Sequence, residues 1–399
     1  MNPTSRTTSF AVLSLFCASA GAQTIPPGST DQTLRYSATN TLAATDDFKV
    51  QADGGMLATD VATNSAWTYF FPPFYGSPPT GTIPATGPGA RFLWYPAHAA
   101  IRAGVVQSSA WDDAYVGLYS TAFGTDTIAS GAGATSIGGG NIASGNFSSA
   151  LGTGTTASGY GSVALGDHTM AGGTDSSAFG ASSLASGNYS TAFGFGASAS
   201  GDYAVSMGTN TVASGHSSLA TGYGTKASGA YSTALGAVAD NNGMAEAFAY
   251  GDGSATTRNT LARQFMARAS GGYVFYTNSG SAGAQLAAGS GSWTALSDRN
   301  EKDEVMSIDP AAVLQHVVAM PLSTWHYKTQ NRQYRHIGPM AQDFYAAFHL
   351  GETDKGIDTV DADGVALAAI QALNAKLEQQ AQQIAQLRDL LSQRGVAPN

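Results

Sequence analysis

Cysteine is almost missing from this 399-residue chain: Cys17 is the single example, so no disulfide within the chain can hold the fold together. Charge is scarce as well. Asp, Glu, Lys and Arg make up 11% of the residues and the formal net charge is −9, a balance that disfavours nucleic acid and anionic membrane surfaces as partners. Beyond the first residues there is no apolar run long enough to span a bilayer as a helix, and no C-terminal series of alternating ten-residue strands that would mark a membrane β-barrel. The pair Asp112-Asp113 lacks the further ligands a cation needs. Neither a metal nor a cofactor is expected.

The N-terminus carries Arg6 in a short polar start, an apolar stretch over residues 10–18, and the small residues Ala20-Gly21-Ala22. This order reads as a secretory signal covering residues 1–22, cleaved after Ala22. Phe16 directly before Cys17 disfavours lipid attachment. Removal of the signal takes away the cysteine and Arg6, leaving a net charge of −10. The stability of the mature chain must then come from burial between copies.

Glycine, by contrast, is abundant and in phase. From residue 117 to residue 243 every seventh position is Gly. The residue two before is nearly always Ala or Ser, and the residue one before alternates between apolar (Phe123, Ile137, Leu151, Leu165) and Ser (Ser130, Ser144, Ser158), so the true period is fourteen. A fixed period with small residues in phase marks a stacked architecture in which each unit packs only on its neighbours. A helix would lose about 1 kcal/mol at each interior glycine, collagen needs Gly every third residue, and calcium-binding rolls need Asp in each repeat. A parallel β-coil remains, each ladder glycine allowing a bend or a close backbone approach that a Cβ would obstruct. Nine coils at the interstrand spacing of about 4.8 Å predict a rod of roughly 43 Å. One apolar residue per coil is too little core for a lone chain, so three chains are expected to pool their apolar stripes.

Ser190 to Gly215, STAFGFGASASGDYAVSMGTNTVASG, resembles the heads of trimeric autotransporter adhesins. The resemblance covers about a third of the chain and implies a mainly β fold, a left-handed parallel β-roll intertwined as a homotrimer, with surface exposure on a Gram-negative bacterium.

The flanks are less regular. Residues 23–116 read as a β-rich tip domain. Within it the aromatic and proline-rich stretch 67–75 suggests either a closing cap or a contact loop for a host cell, matrix or glycan ligand. Trp111 and its two aspartates read as the transition into the repeats. Residues 244–296 are expected to form a β neck, with strand-like pieces at 264–268 and 272–276.

At Ser297 the composition changes: residues 297–399 hold 22 of the 45 charged residues. The pieces Ser297-Asp298 with Lys302, Trp325-His326-Tyr327-Lys328, the run 335–342 beginning Arg335-His336, and Gly364-Val365 opening a terminal helix together resemble the intramolecular chaperone domain of phage tail spikes and endosialidases, a self-cleaving serine peptidase family. The resemblance implies an α+β chaperone domain over residues 297–365 and cleavage between Leu296 and Ser297. A serine hydroxyl needs a base to take its proton, and an amine serves only when its pKa falls from about 10.4 toward 7 to 8 by desolvation. Lys302 is the candidate base, and His336 and Gln342 are the candidates for stabilising the oxyanion. Glu301, beside Lys302, works against that requirement. Without the resemblance, Ser297 or Asp298 reads as a helix cap, and His326 reads as a packing residue.

Residues 366–399 are expected to form a coiled-coil helix and tail. Ile370, Leu373, Leu377, Gln380, Ile384, Leu387 and Leu391 follow the three-four spacing of an a/d seam, with the polar Gln380 fixing register; a two-helix coil or a helix packed on its own domain is the alternative. The combined expectation is a secreted fibre whose C-terminal domain templates assembly and is then released. An enzyme acting on an extracellular glycan is the competing class, although the repeats offer no spaced carboxylate pair.

Overall fold

The computed structural model describes the strands Thr33–Tyr36, Leu42–Val50 and Met56–Ala58, residue 83, and residues 86–394 except 278, 280 and 281. The signal segment 1–22 and the aromatic stretch 67–75 lie outside the described residues. The first three strands pair antiparallel. Two compact units are present, Met1–Arg268 and Ala269–Asn399.

The first unit is a parallel β-solenoid. Each regular coil consists of a five-residue strand such as Val163–Asp167, a corner, a two-residue strand such as Met170–Ala171, and a second corner. Pairing runs in register between residues fourteen apart: Ala150 pairs with Ala164, Ala164 with Ala178, and Ala178 with Ala192. The glycines explain why. A Cβ at Gly166 would overlap the carbonyl oxygen of Gly180, and one at Gly173 would overlap that of Gly187, so both half-turns close only where the side chain is hydrogen.

The interior is made of small residues. Ser162, Ala164, Thr169 and Ala171 of one coil are all fully buried, and the alanines of successive coils form one continuous cluster. The apolar residue before each long-strand glycine points the other way: Phe193 is 55% and Leu165 43% exposed. Leu151, Leu165, Phe179, Phe193 and Met207 stand in register on the outside. Fully burying a Leu or Phe side chain is worth about 1.5–3 kcal/mol. The single chain leaves that gain largely unclaimed and relies on backbone pairing and alanine.

The ends of the stack are closed by polar devices. Ala100–Val106 pairs parallel with Thr121–Thr125 and antiparallel with Gly89–Tyr95, so a hairpin covers the first coil. Arg102 occupies the inward register position opposite Ala122 and is fully buried. Its guanidinium donates to the carbonyl oxygens of Ile101, Ser120 and Ala129 and to Ser120 Oγ at 2.8–3.0 Å, satisfying groups at the stack's open end. Burial pushes its pKa down to about 10. Trp111 is buried with Val106 and Ala110, its Nε1 donating to Thr127 O at 2.8 Å. The two aspartates that follow bind structure: Asp112 accepts the Gly87 N–H and Asp113 the Tyr95 hydroxyl.

At the other end the stack runs past the glycine ladder. Phe248–Arg258 and Phe265–Ala267 add two further parallel rungs, at offsets of 15 and 17 residues. The strand expected at 264–268 therefore belongs to the solenoid rather than to a neck. Asp240 and Arg258 pair at 2.9 Å across the lengthened coil.

In the second unit, Gly272–Tyr276, Gly283–Ala287 and Thr294–Ala295 form an antiparallel sheet. Helix α1 (Pro310–Ala319) starts at Asp309, whose side chain accepts the Ala311 N–H, with Pro310 at the first position. The strands Ser323–Trp325 and His336–Gly338 pair antiparallel, followed by helix α2 (Ala341–Phe348) and the long helix α3 (Thr359–Gln393). Helix α3 begins ahead of the expected Gly364, which lies inside it. Packing of Ala369 and Ala372 on Leu314 of α1 outweighs the cost of one helical glycine, about 1 kcal/mol.

Candidate functional site

The turn after the Thr294–Ala295 strand brings the candidate pair together. The Leu296 N–H donates to Gly283 O at 3.1 Å, extending the sheet up to the peptide bond that precedes Ser297. Asp298 then caps a 3₁₀ turn, Arg299–Glu301, by accepting the Asn300 N–H at 2.9 Å. Of the two possible caps in the sequence, the aspartate takes the role and leaves the serine hydroxyl to other contacts. The turn folds Lys302 back, and its Nζ lies 2.6 Å from Ser297 Oγ. Lys302 makes no ion pair with Glu301 among the described residues. Ser297, Glu301 and Lys302 are exposed in the single chain.

The two oxyanion candidates lie elsewhere. His336 is on the short sheet, with Nε2 2.9 Å from Gln330 Oε1 and its ring 4.7 Å from that of Trp325. Gln342 is in the first turn of α2. Neither makes a hydrogen bond to Ser297, so the single chain assembles the Ser297–Lys302 pair without the other two. His326 adjoins this sheet, where the rings of Trp325, Tyr327 and His336 cluster at 4.7–5.7 Å.

The C-terminal unit leaves much apolar surface uncovered. Ile370, Leu373, Leu377, Ile384, Leu387 and Leu391 of α3 are all exposed, as are Val305, Met306 and Ile308 after the dyad. The seam predicted from spacing is therefore present as an unpartnered stripe on a continuous helix.

A feature not anticipated from the sequence sits at the corner preceding the long strands of several coils. Tyr189, Tyr203 and Tyr231 have φ of 57–58°, a left-handed conformation that costs a non-glycine residue roughly 1–2 kcal/mol. Their rings are about half exposed. The tyrosines at fourteen-residue spacing were the available signal, but only the corner geometry shows that they share an edge.

Comparison with known proteins agrees with this division. Residues 116–141, 143–169, 171–197, 185–211, 199–225 and 213–239 match the family model described as the YadA head domain repeat, two copies to a model. Residues 297–350 match the model described as the chaperone of endosialidase, a match that begins at Ser297. Among solved structures, the collagen-binding domain of the Yersinia adhesin YadA is similar at 22% identity, over 38% of this chain and 75% of that one, with a TM-score of 0.25. No curated protein matches the chain. The coils thus match YadA-type head repeats, and the segment from Ser297 matches an endosialidase-type chaperone region.

Proposed function

We propose that the protein is a secreted, trimeric, adhesin-like surface fibre of a Gram-negative bacterium, assembled on its own C-terminal domain and then separated from it by self-cleavage between Leu296 and Ser297. The observation that carries the reading is the split between an alanine interior and an outward apolar column that includes Leu165 and Phe193. Three chains that bring those columns together gain the burial that each lacks alone. The exposed seam of α3 offers a second, independent trimer contact as a coiled coil. Parallel β pairing folds slowly because its partners are distant in sequence, and a helical clamp that sets register first answers that difficulty.

Cleavage follows from the turn. Ser297 Oγ attacks the carbonyl carbon of Leu296 while Lys302 Nζ receives the hydroxyl proton. The C–N bond breaks as that proton passes to the leaving nitrogen, leaving Leu296 esterified to Oγ and Ser297 with a free amino group. Water then hydrolyses the ester, giving a Leu296 carboxylate and restoring the hydroxyl. An amine acts as a base only when shielded from water, and Lys302 is exposed in the single chain, so a neighbouring chain has to supply the cover. In the same reading His336 and Gln342 reach the oxyanion only after assembly.

Release of the template leaves a fibre that is slow to unravel and unable to reform, which is kinetic stability. The test is a gel of the full chain beside Ser297→Ala and Lys302→Met. Two fragments are expected from the wild type and one full-length band from each variant, with assembly retained. A wild type that stays whole in the assembled state contradicts the cleavage step and leaves the templating role standing.

A further inference from the structure

We infer that the corner ladder of Tyr189, Tyr203, His216 and Tyr231 is a binding strip for a neutral, extended, β-linked polysaccharide lying along the stack of coils. This deepens the proposed function by naming a ligand class for the repeats, and it rests on their reading as a displayed surface. The rings form an unbroken row: centroids are 5.0 Å apart from Tyr189 to Tyr203, and 5.5 Å on each side of His216.

Two facts separate this row from ordinary packing. The same corner is occupied by Gly133 and Gly161 in other coils, so the fold does not require a ring there and would be less strained without one. In two coils whose corner residue is not aromatic, the residue before it is: Tyr160 precedes Gly161 and His216 precedes Ser217, and each reaches its neighbour's ring at 5.5 Å. From Tyr189 to Tyr231 the row is continued from either position. Strained, exposed side chains of this kind are typical of contact sites.

Spacing and charge select the occupant. One ring per coil repeats at about the interstrand distance of 4.8 Å, close to the advance of one sugar in an extended β-linked chain. A peptide strand advances about 3.3 Å per residue and a polyproline helix about 3.1 Å, so neither places one group on each coil. Sugars alternate C–H surfaces with hydroxyls, which suits a strip of aromatic edges carrying phenol oxygens. Asp202 lies in this corner row and accepts the Asn188 N–H through Oδ1, leaving the rest of its carboxylate to a sugar hydroxyl. The chain's net charge of −9 selects against anionic glycans.

Titration calorimetry of the full chain with cellohexaose and with chitohexaose tests the assignment, alongside the triple variant Tyr189→Gly, Tyr203→Gly, Tyr231→Gly. Because glycine fits this corner without strain, the variant is expected to fold with an unchanged or higher melting temperature while affinity falls roughly tenfold or more. Tyr203→Asn, a residue that tolerates the left-handed conformation, provides a milder second variant with a smaller loss. Sedimentation run in parallel reads assembly separately, so a wild type that fails to trimerise counts against the fibre reading and not against the strip, which one chain carries whole. The assignment is overturned if neither hexasaccharide binds the wild type, if the triple variant binds as well as the wild type, or if it loses assembly, which would make the rings a contact between chains.

Discussion

The two units solve the problem of burial in opposite ways. The repeat unit satisfies its backbone locally, coil on coil, and fills its interior with Ala, Ser and Thr, so its architecture is fixed by what a Cβ would hit. The C-terminal unit buries only a few apolar side chains, among them Leu314, Phe344, Val365 and Ala369, and leaves its longest helix with an open stripe. Glycine sets the coil spacing throughout the first, whereas in the second it is needed locally, as at Gly272 and Gly283 of the small sheet.

The largest test of that contrast is Gly166→Ala. Its Cβ would meet the backbone of Gly180, and its φ of +128° is one that L side chains rarely adopt. We expect a loss of roughly 3–5 kcal/mol, read by denaturant unfolding of the repeat unit, with the helical signal of the C-terminal unit preserved. An effect under 1 kcal/mol would mean that the coils are not held at this spacing.

A smaller effect concerns the solenoid's first coil. Desolvation, and then the hydrogen bond to Asp113, raise the Tyr95 phenol to about 12. The native state therefore keeps a proton that the unfolded chain loses near pH 10, so this contribution is whole below pH 10 and disappears as pH rises toward 12. Arg102, whose burial lowers its pKa to about 10, contributes the opposite slope over the same window, so the Tyr95 effect is read as the difference in melting-temperature slope between the wild type and Tyr95→Phe. Tyr95→Phe should lose the downward contribution, and an unchanged slope would remove Tyr95 from the account.

The smallest effect has the opposite sign to the first. Gly364 lies inside α3 with nothing within 4 Å of a Cβ added to it, so Gly364→Ala should stabilise the C-terminal unit by about 0.5–1 kcal/mol. Thermal melting followed at the helical signal decides it.

What the sequence revealed follows the same division. The period and the need for glycine were readable because steric exclusion acts at each ladder position, and the phase survives as long as coils keep one length. The last two rungs were placed outside the coils because their offsets rise to 15 and 17 residues and break the count of seven. Which apolar residue faces inward was not readable, since Ala164 and Leu165 are neighbours and only the pleat decides between them. The Ser297–Lys302 pair was proposed from the resemblance, since the residues alone read as a helix cap, and the contact forms because both belong to one short turn. His336 and Gln342 were grouped with them by the same resemblance, and in the single chain neither hydrogen-bonds the serine. The corner tyrosines stayed hidden because their meaning depends on a left-handed φ, which spacing does not report.

Sedimentation equilibrium of the Ser297→Ala chain tests the central claim most directly, since it weighs the uncleaved assembly. A species of three times the chain mass, with no folded monomer on dilution, is the predicted result. A stable, fully folded single chain of about 40.6 kDa would contradict it.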